Sequence, residues 1–163
     1  MSLRKREADP SEVMSEMREL AFTLPANQLG LEPGPGHTRV WSVLMETGYP
    51  EAVVSLVTIA EGTTSLYFSS GGGVIGAGEH ATVRQMAERF IALVDDHVGE
   101  FEVADKHPLP DVGRVRFYVR TFDGLRMADA DETELGEGRH TLSPLFHAGH
   151  AVITAVRETA PSP

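Results

Sequence analysis

Residues 52–70 read AVVSLVTIAEGTTSLYFSS, and this stretch decides the fold. Two runs rich in Val, Ile, Leu and aromatic side chains, Ala52 to Ala60 and Thr64 to Ser70, flank Glu61-Gly62, which carries the glycine that a two-residue hairpin turn prefers at its second position. Such a turn pairs Val57 with Leu66 and Ser55 with Phe68 on one face, and Leu56 with Tyr67 and Val54 with Ser69 on the other. Both faces are then apolar, whereas a hairpin with one side in water alternates apolar with polar. A sheet that is greasy on both sides exposes a large patch unless something covers each side.

On the N-terminal side of this hairpin, Arg39 to Glu46 reads as a third strand, with Trp41, Val43 and Met45 alternating with Val40 and Leu44. The loop Thr47-Gly48-Tyr49-Pro50 joins it to the next strand, so the three form an antiparallel meander. Upstream, Leu24 to His37 contains Pro25, Gly30, Pro33, Gly34, Pro35 and Gly36 and reads as a connector. Before it, Asp9 as cap, Pro10 at the first position and Glu12 three residues on predict a helix whose Val13, Met17, Leu20 and Ala21 recur at helical spacing. Residues 1–37 are thus an N-terminal helix with its connector, residues 38–159 one α+β domain, and residues 160–163 a frayed tail.

On the C-terminal side, the glycine-rich run Gly71 to Gly78 leads into a helix from Glu79 to about Val98, with Val83, Met86, Ala87, Phe90, Val94 and Val98 on one stripe. After a loop with Pro108 and Pro110, Arg114 to Phe122 and Leu125 to Asp131 form a second hairpin around Asp123-Gly124. That turn places Tyr118 opposite Asp129 and Arg116 opposite Asp131, with Val115, Phe117, Val119, Ala128 and Ala130 on the core side. The last helix opens at Ser143-Pro144 and runs to about Glu158, with Leu145, Gly149, Val152, Ile153 and Val156 inward. The order is α-β-β-β-α-β-β-α, an α+β fold of five mostly antiparallel strands with two long helices on the sheet and an N-terminal helix. This order resembles the small sheet-and-helix domains of the profilin-like and roadblock groups, a likeness of architecture that implies no function.

The composition is that of one globular domain: 163 residues, 41 % hydrophobic and 23 % charged, enough apolar surface to offset the entropy of ordering the chain. A net charge of -10 opposes polyanions, so neither nucleic acid nor an anionic membrane surface is an expected partner. No cysteine is present, which removes thiol catalysis and thiolate metal ligands and fits a reducing cytoplasm. The basic start Arg4-Lys5-Arg6 lacks the apolar run of a secretory signal, and no stretch of about 18 apolar residues suits a membrane span.

Three constellations invite a functional reading. Gly71, Gly73 and Gly76 satisfy G-x-G-x-x-G between a strand and a helix, where backbone N–H groups receive phosphate. With Gly78, and with Arg116 and Arg120 (or Arg114) as helpers, they form a candidate anion site. The parallel βαβ unit of a dinucleotide site is absent, and Asp95 and Asp96 fall at a helix end instead of a strand tip, so tight-turn glycines are the plainer reading. His147 and His150, three apart on the last helix, with His140 upstream, are candidate metal ligands for a hydrolase; the wheel instead puts His147, His150, Thr154 and Arg157 on one solvated side. Asp129 to Glu134 lacks the sixth-position glycine of a calcium loop.

The third constellation is the two-sided sheet itself. Its cover is the N-terminal helix, a second copy of the chain, or another protein, and a homodimer through Trp41, Val54, Leu56 and Tyr67 is the favoured form. No nucleophile motif appears and no cofactor is implied. The sequence therefore predicts a non-catalytic, self-associating interaction or ligand-binding module, with an anion-binding domain or small enzyme on the glycine loop, and a metal-dependent hydrolase, as the alternatives.

Overall fold

The computed structural model describes residues 10–159. The expected cap Asp9, the basic start and the tail 160–163 lie outside these residues. In chain order the elements are α1 (Pro10–Thr23), β1 (Val40–Gly48), β2 (Val53–Ile59), β3 (Thr64–Phe68), β4 (Gly73–Val74), α2 (Ala81–Asp96), β5 (Glu102–Val103), β6 (Arg114–Thr121), β7 (Gly124–Asp131), α3 (Glu132–Gly136) and α4 (Ser143–Thr159). The fold is α+β, built on one antiparallel sheet of seven strands in the order β4-β3-β2-β1-β6-β7-β5. Five of these strands are the expected ones. The two additions, β4 and β5, are two residues long and sit at the two rims, too short to announce themselves by alternation. The five-residue α3 was likewise not expected; Asp131 caps it by accepting from the Glu134 amide at 3.0 Å.

Both hairpins turn at a different place from the one the dipeptides suggest. At the first, Gly62 donates to the Ile59 carbonyl and Ile59 to the Thr63 carbonyl, each at 2.9 Å, so three residues make the turn and Gly62 takes φ 117°. The register moves by one: Leu56 faces Leu66, Val54 faces Phe68 and Ser55 faces Tyr67. A one-residue slip sends alternate side chains to opposite faces, so Leu56 and Tyr67, expected side by side, lie on opposite sides of the sheet. At the second hairpin Phe122 and Asp123 make the turn, and Gly124, φ 142°, is already the first residue of the returning strand. The Thr121 hydroxyl, 2.8 Å from the Gly124 carbonyl, holds that geometry. Arg116 therefore faces Asp129, and Tyr118 faces Met127; this shift is even, so the core face is the expected one.

One side of the sheet carries the main core. Val43, Met45, Leu56, Leu66, Phe117 and Val119 meet Val83, Phe90 and Val94 of α2 and Leu145, Val152 and Val156 of α4, all at most 1 % exposed. Gly149 sets how closely α4 approaches: a β-carbon there would sit 2.6 Å from the Met45 sulfur. Asp95, at the end of α2, fastens the start of β1, accepting from the amides of Thr38, Arg39 and Val40 at 2.9–3.1 Å and from the Thr38 hydroxyl at 2.7 Å. Partial burial alone would raise its pKa, but these bonds outweigh it and the net shift is downward.

The other side is covered by the chain's own N-terminal segment. Met14 and Ala21 of α1 are buried against Trp41, Leu44, Val57, Ile59, Tyr67 and Tyr118. Of the expected inward residues Met17 and Ala21 do face the sheet, joined by Met14, whereas Val13 and Leu20 point outward, 40 % and 48 % exposed. Arg18 points to the sheet as well, and its guanidinium grips Glu46 at 2.8–3.2 Å. Glu46 lies mid-sheet, wholly buried, and also accepts from the Ser55 hydroxyl at 2.5 Å. Arg120, stacked 4.2 Å over Trp41, donates to the carbonyls of Ala21 and Leu24 at the end of the same helix.

Removing Arg18 leaves a buried carboxylate without its counter-ion. Arg18→Met is expected to cost about 3 kcal/mol or more, whereas Arg18→Met with Glu46→Leu recovers most of that loss, because an apolar pair needs no counter-charge. Urea titrations of the two variants and the parent check this; a double variant no more stable than the single one refutes the pairing.

Candidate functional site

The glycine run makes a strand turn and two close backbone approaches. Gly72 accepts from the Phe68 amide at 3.2 Å and Gly71 donates to the Phe68 carbonyl at 2.9 Å, which closes the β3–β4 turn with Gly71 to Gly73 all at positive φ. A β-carbon at Gly73 would run into the Leu66 carbonyl, and one at Gly78 into the Gly62 carbonyl. Gly76, φ 73°, opens the short 3-10 turn that precedes α2. The hollow beside this turn is lined by Glu61, Glu79 and Arg84, and Arg84 spends its guanidinium on the Gly78 and Glu79 carbonyls.

Arg116 and Arg120 do not reach that loop. They stand on central β6, facing α1 and the loop before β6. Arg116 is held by Asp129 at 2.8 Å and by the carbonyls of Pro108 and Leu109, and Arg114 reaches the same Asp129 at 2.5 Å. The bond to Asp129 raises the Arg116 pKa, while burial under α1 lowers that of Arg120. The expected anion site on the glycine loop is therefore not assembled from these residues. Nor is the arginine strip an open sheet face, since Tyr118 is fully buried and its hydroxyl donates to the Pro108 carbonyl.

The four residues expected at a homodimer face do not form one surface. Trp41 (2 % exposed) and Tyr67 (8 %) lie under the N-terminal segment, Leu56 (0 %) lies under the long helices, and half-buried Val54 is on that same side. The register slip separates them, and the chain's own helices cover them.

The three histidines also part company. His140 uses Nδ1 to accept from the Leu142 amide at 3.0 Å, and His147 is exposed. Among the described residues no three His, Asp or Glu side chains come close enough to hold a metal ion. His150, expected in solvent, turns inward: its ring meets Phe146 at 4.3 Å between centroids, and its Nε2 is buried without a hydrogen-bond partner.

His150 lines a cavity of about 200 Å³ between α4 and the sheet. Val54 and Phe68, a cross-strand pair, form its apolar floor with Leu66, and Ile153 of α4 its wall. Tyr49, just past β1, and Arg157, two turns beyond His150 on α4, complete it. Tyr49 is placed by a turn in which its amide donates to the Ala52 carbonyl at 3.0 Å. Burial raises its pKa; the Glu132 carboxylate adds to this by its charge and as acceptor for the phenol proton, and Arg157 opposes it. Burial lowers the His150 pKa against the pull of Glu132, with His147 adding to the lowering. Arg157 is exposed and makes no ion pair among the described residues. The arrangement is an apolar pocket with few convergent polar groups, two of them with shifted pKa values, as in small-molecule sites.

Of this group the sequence singled out His150, as a metal candidate, and Val54, as part of a dimer face. The signal that finds the rest is local: Phe146 and Ile153 flank His150 at four and three residues, which places that histidine at the margin of the apolar stripe. No family model, curated protein or solved structure matches the chain.

Because His150 is held below its ordinary pKa, it favours the folded state fully above about pH 6.5, and this contribution is lost progressively as acid protonates it. Asp95 acts in the same direction but in the carboxylate range. Thermal melts from pH 7.5 to 5 are expected to show a fall in stability below about pH 6.5 that His150→Phe flattens and Asp95→Asn leaves in place; equal slopes in parent and His150→Phe contradict the assignment.

Proposed function

We propose that this protein is a non-catalytic ligand-binding module whose ligand seat is the cavity between α4 and the sheet. One observation carries the reading: His150, whose Nε2 is buried without a hydrogen-bond partner, lines a cavity with an apolar floor. A buried polar atom without a partner costs about 1–3 kcal/mol, and a turn of the ring that presents this nitrogen to a ligand in the cavity would recover the missing bond. Binding is favoured over turnover because His150 hydrogen-bonds to no side chain among the described residues, so no activated nucleophile stands beside it. A cytoplasmic setting belongs to the same proposal and is supported by the lack of cysteine.

Protein-observed two-dimensional NMR with a library of fragments of up to about ten heavy atoms tests the seat. Binders are expected to shift the amides of Tyr49, Phe68 and Ile153, and to be lost in His150→Phe, whose ring removes the polar atom. Binders that map elsewhere, or that survive this change, refute the seat.

Self-association is a second reading, supported by a different surface from the one the sequence suggests. Val13 and Leu20, two turns apart on the outer side of α1, form an exposed apolar stripe that the same stripe of a second copy could cover. Light scattering at rising concentration is expected to give a dimer that Leu20→Glu dissociates; a single-chain mass throughout refutes it.

A further inference from the structure

Resting on the ligand seat just described, we infer that its ligand is a compact anion: a carboxylate on a small aromatic or branched aliphatic body. The size follows from the cavity. A space of about 150 Å³ holds a benzene ring, so about 200 Å³ takes a ring or a branched chain with one small substituent. Val54, Leu66, Phe68 and Ile153 offer that body only apolar contact, which excludes a sugar or another polyol as the buried part.

The charge follows from what faces the cavity and what does not. Arg157 is the one charged side chain that lines it, and no carboxylate answers it among the described residues. Glu132, whose charge acts on both Tyr49 and His150, does not line the cavity. A ligand carboxylate at the mouth therefore meets a guanidinium whose planar fork matches it, while the body fills the apolar interior. The chain's net charge of -10 does not oppose this, because charges farther than about 8 Å are screened at physiological ionic strength.

The test uses benzoate and isovalerate against their uncharged amides, benzamide and isovaleramide, titrated into the full chain and followed by two-dimensional NMR. The acids are expected to bind about tenfold more tightly than the amides. Arg157→Gln, at an exposed position whose loss leaves the melting temperature unchanged, is expected to abolish that preference while the amides bind as before. If amides and acids bind equally in the parent, the anion inference is overturned and the ligand seat stands. If neither class shifts Tyr49, Phe68 or Ile153 at millimolar concentration, the seat itself is overturned, and the anion with it.

Discussion

A carboxylate in the middle of a sheet, with no access to water, has to be answered by a cation, and here the cation comes from another part of the chain. Glu46 and Arg18 are separated by 28 residues and a connector rich in proline and glycine, yet they meet in a forked contact over the central strand. Hydrophobic contact alone would let an amphipathic helix slide or rotate on a greasy surface; a fixed charge pair does not. The pair sets which side of α1 faces inward, and Arg120 then finds the helix's terminal carbonyls. With that helix seated, Trp41 and Tyr67 are covered and the sheet is closed on both faces by one chain.

Most of the architecture was legible in the sequence because it rests on periodicity. The long helices, the five main strands and the need for cover on two faces follow from apolar residues recurring at helical or alternating spacing. What was not legible rests on single residues whose effect depends on three dimensions. The first turn takes in Ala60 ahead of Glu61-Gly62, and at the second Gly124 falls one step past the turn; both glycines supply a positive φ that the dipeptide alone does not place. On α1 the spacing finds Met17 and Ala21 but not the inward Arg18, which looks like a surface residue until Glu46 is known to lie beneath it.

The cavity was hidden for a related reason. Its members come from the end of β1, from β2 and β3, and from α4, and no spacing in the chain links Tyr49 to Arg157. The helical wheel put His150 with the polar residues, which is right by angle but ignores that the sheet edge and Phe146 rise to enclose that side of the helix. The glycine run drew attention as a phosphate motif, whereas its conformational freedom is spent on a strand turn and on two close backbone approaches.

The outermost strands, β4 and β5, offer only two residues each. Rims this short give an arriving strand little ladder of their own to lengthen, which is one of the ways a sheet discourages edge-to-edge pairing.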